Sequence, residues 1–237
     1  MANGTTAAAQ RARVMRTAVA TAVVIALGAA AAWYLGVFVS DTVGVDDLAE
    51  VVLVAAAPDE NGDVVAQIVA LVDVRASTVE AVSPATEVTL PGTTYGTLAD
   101  AYPFGGGAGV AEALARARVA EAPAYLALDA AALRSAVAQA GGAEITLPAE
   151  MAVFDGETLY TFAPGTTTLS AEGLGAVFKG APYLTDAQRS QLDAELAGML
   201  ATLLAEWPGG LVAASDTGAI ATNLSPEALG DLQDVLR

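Results

Sequence analysis

The chain has 237 residues and carries 10 basic against 27 acidic side chains, with neither cysteine nor histidine. That composition excludes disulfides, thiol nucleophiles, histidine acid–base chemistry and most zinc sites, and a net charge of −17 repels nucleic-acid phosphates. The hydrophobic content of 54% is mostly Ala and Val, with 5% aromatic residues, so it supplies a core without pointing to a chemistry.

The first element is an uncharged apolar run from Thr17 to Val39, long enough as a helix to cross ~30 Å of hydrocarbon. Arg11, Arg13 and Arg16 precede it, and Asp41, Asp46 and Asp47 follow. The positive-inside rule makes residues 1–16 a cytoplasmic tail, 17–39 a transmembrane helix, 40–49 a juxtamembrane linker and 50–237 an extracellular domain. Trp33 and Tyr34 sit near the distal end, where amphipathic rings favour the interface. A cleaved signal peptide is the alternative, because Ala29–Ala32 offers small residues to a peptidase, but the apolar run continues through Leu35 and Val37–Val39.

Beyond the linker, Glu50–Ala57 reads as a strand buried on both faces and Pro58–Asp63 as a turn. Val64–Asp73, Thr78–Ser83 and Glu87–Leu90 read as further strands. Gly105–Gly109 predicts a flexible turn before a helix over Val110–Glu121. It lacks the motif of a phosphate loop or a dinucleotide site. Pro123–Leu128 predicts a strand, Asp129 the N-cap of a helix over Ala130–Ala140, and Gly141–Gly142 its end before a strand over Ala143–Leu147. Asp155–Gly156 marks a hairpin turn, helices follow at 170–179 and 186–206, and Pro208–Gly210 stops the second. Ser225, Pro226 and Glu227 open a last helix to Val235. Interleaved strands and helices predict an α/β domain, a central mixed sheet flanked by helices.

Few side chains suggest chemistry unaided. Asp59, Glu60 and Asp63 could hold calcium, but lack EF-hand spacing and read better as a solvated turn. Arg116 and Arg118, two apart, do not share a helix face. Trp207 beside Pro208 reads as a packing residue. Ser83, Ser135, Ser190 and Ser215 have no histidine to serve as base and no nucleophile elbow, which rules out a serine hydrolase.

Several strings in order carry a resemblance. They are Val82-Ser-Pro-Ala-Thr-Glu87 with Leu90-Pro-Gly92; Tyr95-Gly-Thr-Leu-Ala-Asp-Ala-Tyr102 with Gly105-Gly106; Tyr125 to Gly142; Gly165 to Lys179; and Asp186-Ala-Gln-Arg189. From about residue 50 to the end the chain resembles the LytR–CpsA–Psr family of membrane-anchored cell-wall enzymes. The resemblance implies an extracytoplasmic α/β domain in cell-envelope glycopolymer assembly, with an apolar cavity for a polyprenyl tail. An active member would be a phosphotransferase moving glycopolymers from polyprenyl pyrophosphate to a cell-wall acceptor. Arginines and a lysine would hold the pyrophosphate and an acid would bind Mg2+.

Set against that pattern, Ala85 and Thr86 stand where members have Arg-Asp, Thr97 where they have Lys, Ala99 where they have Asn, and Ala181 at one arginine of an Arg-x-Arg pair. Lys179 and Arg189 remain as catalytic candidates and Asp186 as a metal candidate. Each also has a plain reading as a helix-end charge. The residues therefore imply a degenerate pyrophosphate site, with a polyprenyl-linked lipid or a homologous envelope protein as partner. The alternatives are an active transferase and an acidic extracellular interaction domain that docks on a basic partner.

Overall fold

The computed structural model describes residues 42–45, 48–90, 96–118 and 124–237. The expected tail and transmembrane helix lie outside the described residues. Within the expected linker, Val43 donates its N–H to Asn223 at 2.8 Å and Leu48 is buried.

A five-stranded mixed sheet forms the centre, in the order β3 (Thr78–Val82), β2 (Val64–Asp73), β1 (Glu50–Pro58), β4 (Ala124–Leu128), β9 (Ala221–Thr222). β1 runs antiparallel to β2 and parallel to β4. Its near-continuous Val/Leu/Ala composition follows from burial on both faces. Val51, Leu53 and Ala55 enter one apolar cluster, and Val52 and Val54 the other.

The second cluster is covered by α1 (Leu98–Arg118) through Leu98, Val110 and Leu114. The first is covered by α2 (Ala130–Gln139), α3 (Ala171–Gly180), α4 (Asp186–Ala205), α5 (Gly210–Asp216) and α6 (Pro226–Leu236). Two small ribbons complete the domain: β5 (Ala143–Leu147) with β8 (Gly165–Leu169), and the hairpin β6 (Met151–Phe154) with β7 (Leu159–Phe162).

Capping residues set the helix starts as expected. Asp129 accepts from Ala131 and Ala132 at 2.9 and 2.7 Å, and Ser225 accepts from Ala228 at 3.2 Å. Thr185 and Gln188 close a capping box on α4. Gln233 is buried yet satisfied. It donates to the Ala205 carbonyl at 3.0 Å and accepts from Leu211 at 3.2 Å, so α6 is fastened to the α4–α5 junction.

Three expectations need correction. Glu87–Leu90 is not a strand: only a bridge from Glu87 to Thr97 forms, and Val88 instead donates to the Gly96 carbonyl at 2.7 Å. The Gly105–Gly109 segment is not a flexible turn. It is helical except at Gly106 (φ 56°), and α1 begins before it at Leu98. Close packing explains the glycines: a Cβ on Gly107 would stand 2.5 Å from Ala127 Cβ and 2.7 Å from the Tyr125 ring. Finally, Pro208–Gly210 ends α4 but starts α5, a helix too short for periodicity to reveal.

Candidate functional site

Two hollows concern the residues singled out above. One, of about 240 Å³, lies between the β1–β2 turn, the segment after β3 and helix α4. Ala85, Thr97, Ala99, Ala181 and Arg189, five positions spread over about a hundred residues of sequence, all line it. The segment 83–86 reaches it because a tight turn follows β3, with Thr86 donating to the Ser83 carbonyl at 2.9 Å. Thr97 arrives as the cap of α1, its hydroxyl donating to Asp100 at 2.7 Å. Ala181 follows α3 directly, and Arg189 is on the first turn of α4.

The charges in this hollow are unbalanced. Asp59, Glu60, Asp100 and Asp193 are the acids in its wall and Arg189 is the base. Asp59 is committed to its own turn, accepting from Asn61 at 2.8 Å and Asp63 at 2.9 Å, which is the solvated-turn role expected of Pro58–Asp63. Arg189 donates from Nη2 to the Pro182 carbonyl at 2.9 Å, while its Nε is buried without a partner. One turn further along α4, Asp193 Oδ2 is also buried and unpartnered. Burial pushes the Asp193 carboxyl above its ordinary value, opposed by the Ser83 hydroxyl and the Arg189 charge. The sequence did not single out Asp193 or Asp100, and offered Glu60 only as part of the Pro58–Asp63 turn. Asp193 was legible only as the residue one helical turn after Arg189.

Asp186 and Arg189 share an adjoining hollow with Ser83, Ser190 and Asp193. Among the described residues no group of three or more acidic side chains converges as a metal site, and the Arg189 guanidinium shares that hollow with the two carboxylates. The donor set therefore does not fit a protein-built Mg2+ site, and no step is routed through a metal.

Lys179 is elsewhere. It lines a second cavity of about 230 Å³ between α2 and α3, with Arg134, Asp155, Tyr160 and Glu172 around an apolar interior. The structure thus unites Asp186 with Arg189 and separates both from Lys179. Trp207 packs against the core cluster, and Ser135 accepts from Gln139 at 2.8 Å on the exposed side of α2.

No family model matches the chain, and no curated protein matches it. Many solved structures are similar to it, among them three that cover 79% of its length. TagV of B. subtilis is 17% identical, with 78% of that chain covered and a TM-score of 0.53. The LytR-Csp2A-Psr enzyme from Actinomyces oris is 17% identical, with 75% covered and a TM-score of 0.51. TagT, solved bound to LIIa-WTA, is 16% identical, with 74% covered and a TM-score of 0.51. The likeness establishes the fold: this chain has a LytR–CpsA–Psr-like α/β fold.

Proposed function

We propose that the chain is a membrane-anchored, extracytoplasmic protein of cell-wall glycopolymer assembly whose pyrophosphate site has been replaced, and which acts by binding a lipid-linked precursor or another envelope protein. The observation that carries the reading is the composition of the α4 hollow. The positions that the family pattern fills with basic and polar residues meet there as Ala85, Thr97, Ala99 and Ala181, beside four carboxylates and one guanidinium. Each lost donor to a developing phosphate charge commonly costs ~100-fold or more in rate. The acids add repulsion that a pyrophosphate would have to overcome.

Packing also weighs on the binding mode. Leu53, Leu126, Leu128, Leu192, Leu200 and Leu204 have no surface accessible to water, so no water-sized void adjoins them between sheet and helices. A long polyprenyl tail would need that region to open, which supports contact through surface cavities.

A second reading retains the transferase, since Asp186, Arg189 and Asp193 share one hollow. One experiment separates the two. The full chain is incubated with a polyprenyl-pyrophosphate-linked glycan, a peptidoglycan acceptor and Mg2+. The expected result is no transfer, together with full complementation of a deletion strain by Arg189→Ala. Mg2+-dependent transfer that Arg189→Ala abolishes would overturn the binding reading.

A further inference from the structure

In a chain this acidic, the state of each cation is informative. Among the described residues Arg116 pairs with Glu112 at 2.8 Å, Arg118 with Glu50 at 3.4 Å and Arg237 with Asp234 at 2.8 Å, and Arg189 bonds the Pro182 carbonyl. Arg75 stands alone in the β2–β3 turn. Arg134 and Lys179 also lack an ion-pair partner within 4 Å, and both stand at the mouth of the α2–α3 cavity.

That cavity is built differently from the α4 hollow. Leu133 and Val137 of α2, Leu174 and Phe178 of α3, and Ala57 at the end of β1 give it an apolar interior. Gly175 leaves it open on the α3 side, since a Cβ there would meet nothing within 4 Å. The two acids at the mouth are already committed. Asp155 accepts from the Glu157 and Thr158 amides at 2.9 and 2.8 Å, which holds its carboxyl below the usual range. Glu172 is held low by its own backbone N–H and the Ser170 hydroxyl in the first turn of α3. The Lys179 charge also helps to hold Asp155 low and the Arg134 charge Glu172, but among the described residues neither cation comes within 4 Å of its acid, so their N–H donors remain open to a ligand.

We infer that the α2–α3 cavity is a binding site for a small amphiphilic anion, its apolar body between α2 and α3 and its carboxylate or phosphate-ester head on Lys179 and Arg134. A few convergent polar groups around an apolar hollow is the ordinary make-up of a small-ligand site. The cavity is small, about 230 Å³, which suits a ligand with a short apolar chain, of which hexanoate is a representative. The inference gives Lys179 a role outside the α4 hollow and does not depend on whether that hollow retains chemistry.

The test uses the full chain in lipid nanodiscs, with empty nanodiscs as reference, and follows methyl resonances of Leu133, Val137 and Leu174 during titration. Hexanoate, hexyl phosphate, hexanol and hexylamine are the probes. Saturable shifts are expected with the two anions, about fivefold weaker in Arg134→Gln and in Lys179→Gln. They are lost in Gly175→Leu, whose side chain fills the cavity, and unchanged in Arg189→Ala. Tighter binding of hexyl phosphate than hexanoate identifies a phosphate-ester head, and the reverse order a carboxylate. Absence of saturable shifts, hexanol or hexylamine binding as tightly as the anions, or undiminished binding to Gly175→Leu overturns the inference.

Discussion

The two cavities are nearly equal in volume, about 240 and 230 Å³, and opposite in construction. The α4 hollow has carboxylates in its wall and one guanidinium turned to a backbone carbonyl. The α2–α3 cavity has aliphatic walls and, at its mouth, two cations beside two carboxylates that accept from neighbouring backbone and hydroxyl groups. The difference teaches that, of two hollows of one size, the one with the basic pair and apolar walls is better equipped for an amphiphilic anion than the one walled by four carboxylates.

The largest test of this contrast is to cut one leucine from each wall. Leu174 and Leu196 are both 2% exposed, and truncation to alanine at such sites costs ~2–5 kcal/mol. An enlarged apolar cavity stays dry, whereas a polar one admits water to its unsatisfied groups. Leu174→Ala is therefore expected near the upper end of the range. Leu196→Ala should fall near the lower end, with water reaching Arg189 Nε and Asp193 Oδ2. Urea unfolding followed by circular dichroism measures both, and the reverse order would mean that the polarity assigned to the two hollows is wrong.

A smaller effect comes from reinstating one cation. Ala85→Arg places a guanidinium in the α4 hollow and should raise the affinity for inorganic pyrophosphate by about tenfold, the scale of one charge-assisted hydrogen bond that remains partly solvated. Isothermal titration reads the change. Hexanoate binding at the α2–α3 cavity should not respond, and a parallel change at both cavities would show that they do not act separately.

The smallest effect is electrostatic. Asp193 has a folded-state pKa raised above the ordinary carboxylate value of 3.8, so the folded protein holds this proton more tightly than the unfolded chain does. Its ionisation costs stability as pH rises from 3.8 towards the raised value, and the full cost applies above that value. Asp193→Asn should thus stabilise the protein at pH 7 by less than about 1 kcal/mol, the group being partly exposed, and should be neutral at pH 3. A variant less stable than wild type at pH 7 would show that Asp193 works there as a paired, favourable charge.

Much of the architecture was legible because local physics sufficed for it. The Val/Leu/Ala run of β1 could be buried only between two layers, Asp129 and Ser225 could cap their helices from their own side chains, and Asp155–Gly156 could turn its own hairpin. Glu87–Leu90 failed because a strand also needs a neighbour, and among the described residues it meets only Gly96 and Thr97, too short a pairing for a ladder. The glycine segment in α1 failed for a related reason. Gly107 answers to the Tyr125 ring and Ala127, on a strand that local sequence does not place beside it.

For the site, the sequence by itself determined which charges exist: a chain of 10 bases and 27 acids, with neutral residues at 85, 97, 99 and 181. Only the tertiary structure decided which of them meet. Arg189 and Asp186 point from α4 into hollows beside the segment after β3, while Lys179 lines the cavity shared by α3 and α2. The physical reason is helical geometry at a helix end: Lys179 and Ala181 are two residues apart across the end of α3, so they address different surfaces although the sequence sets them side by side.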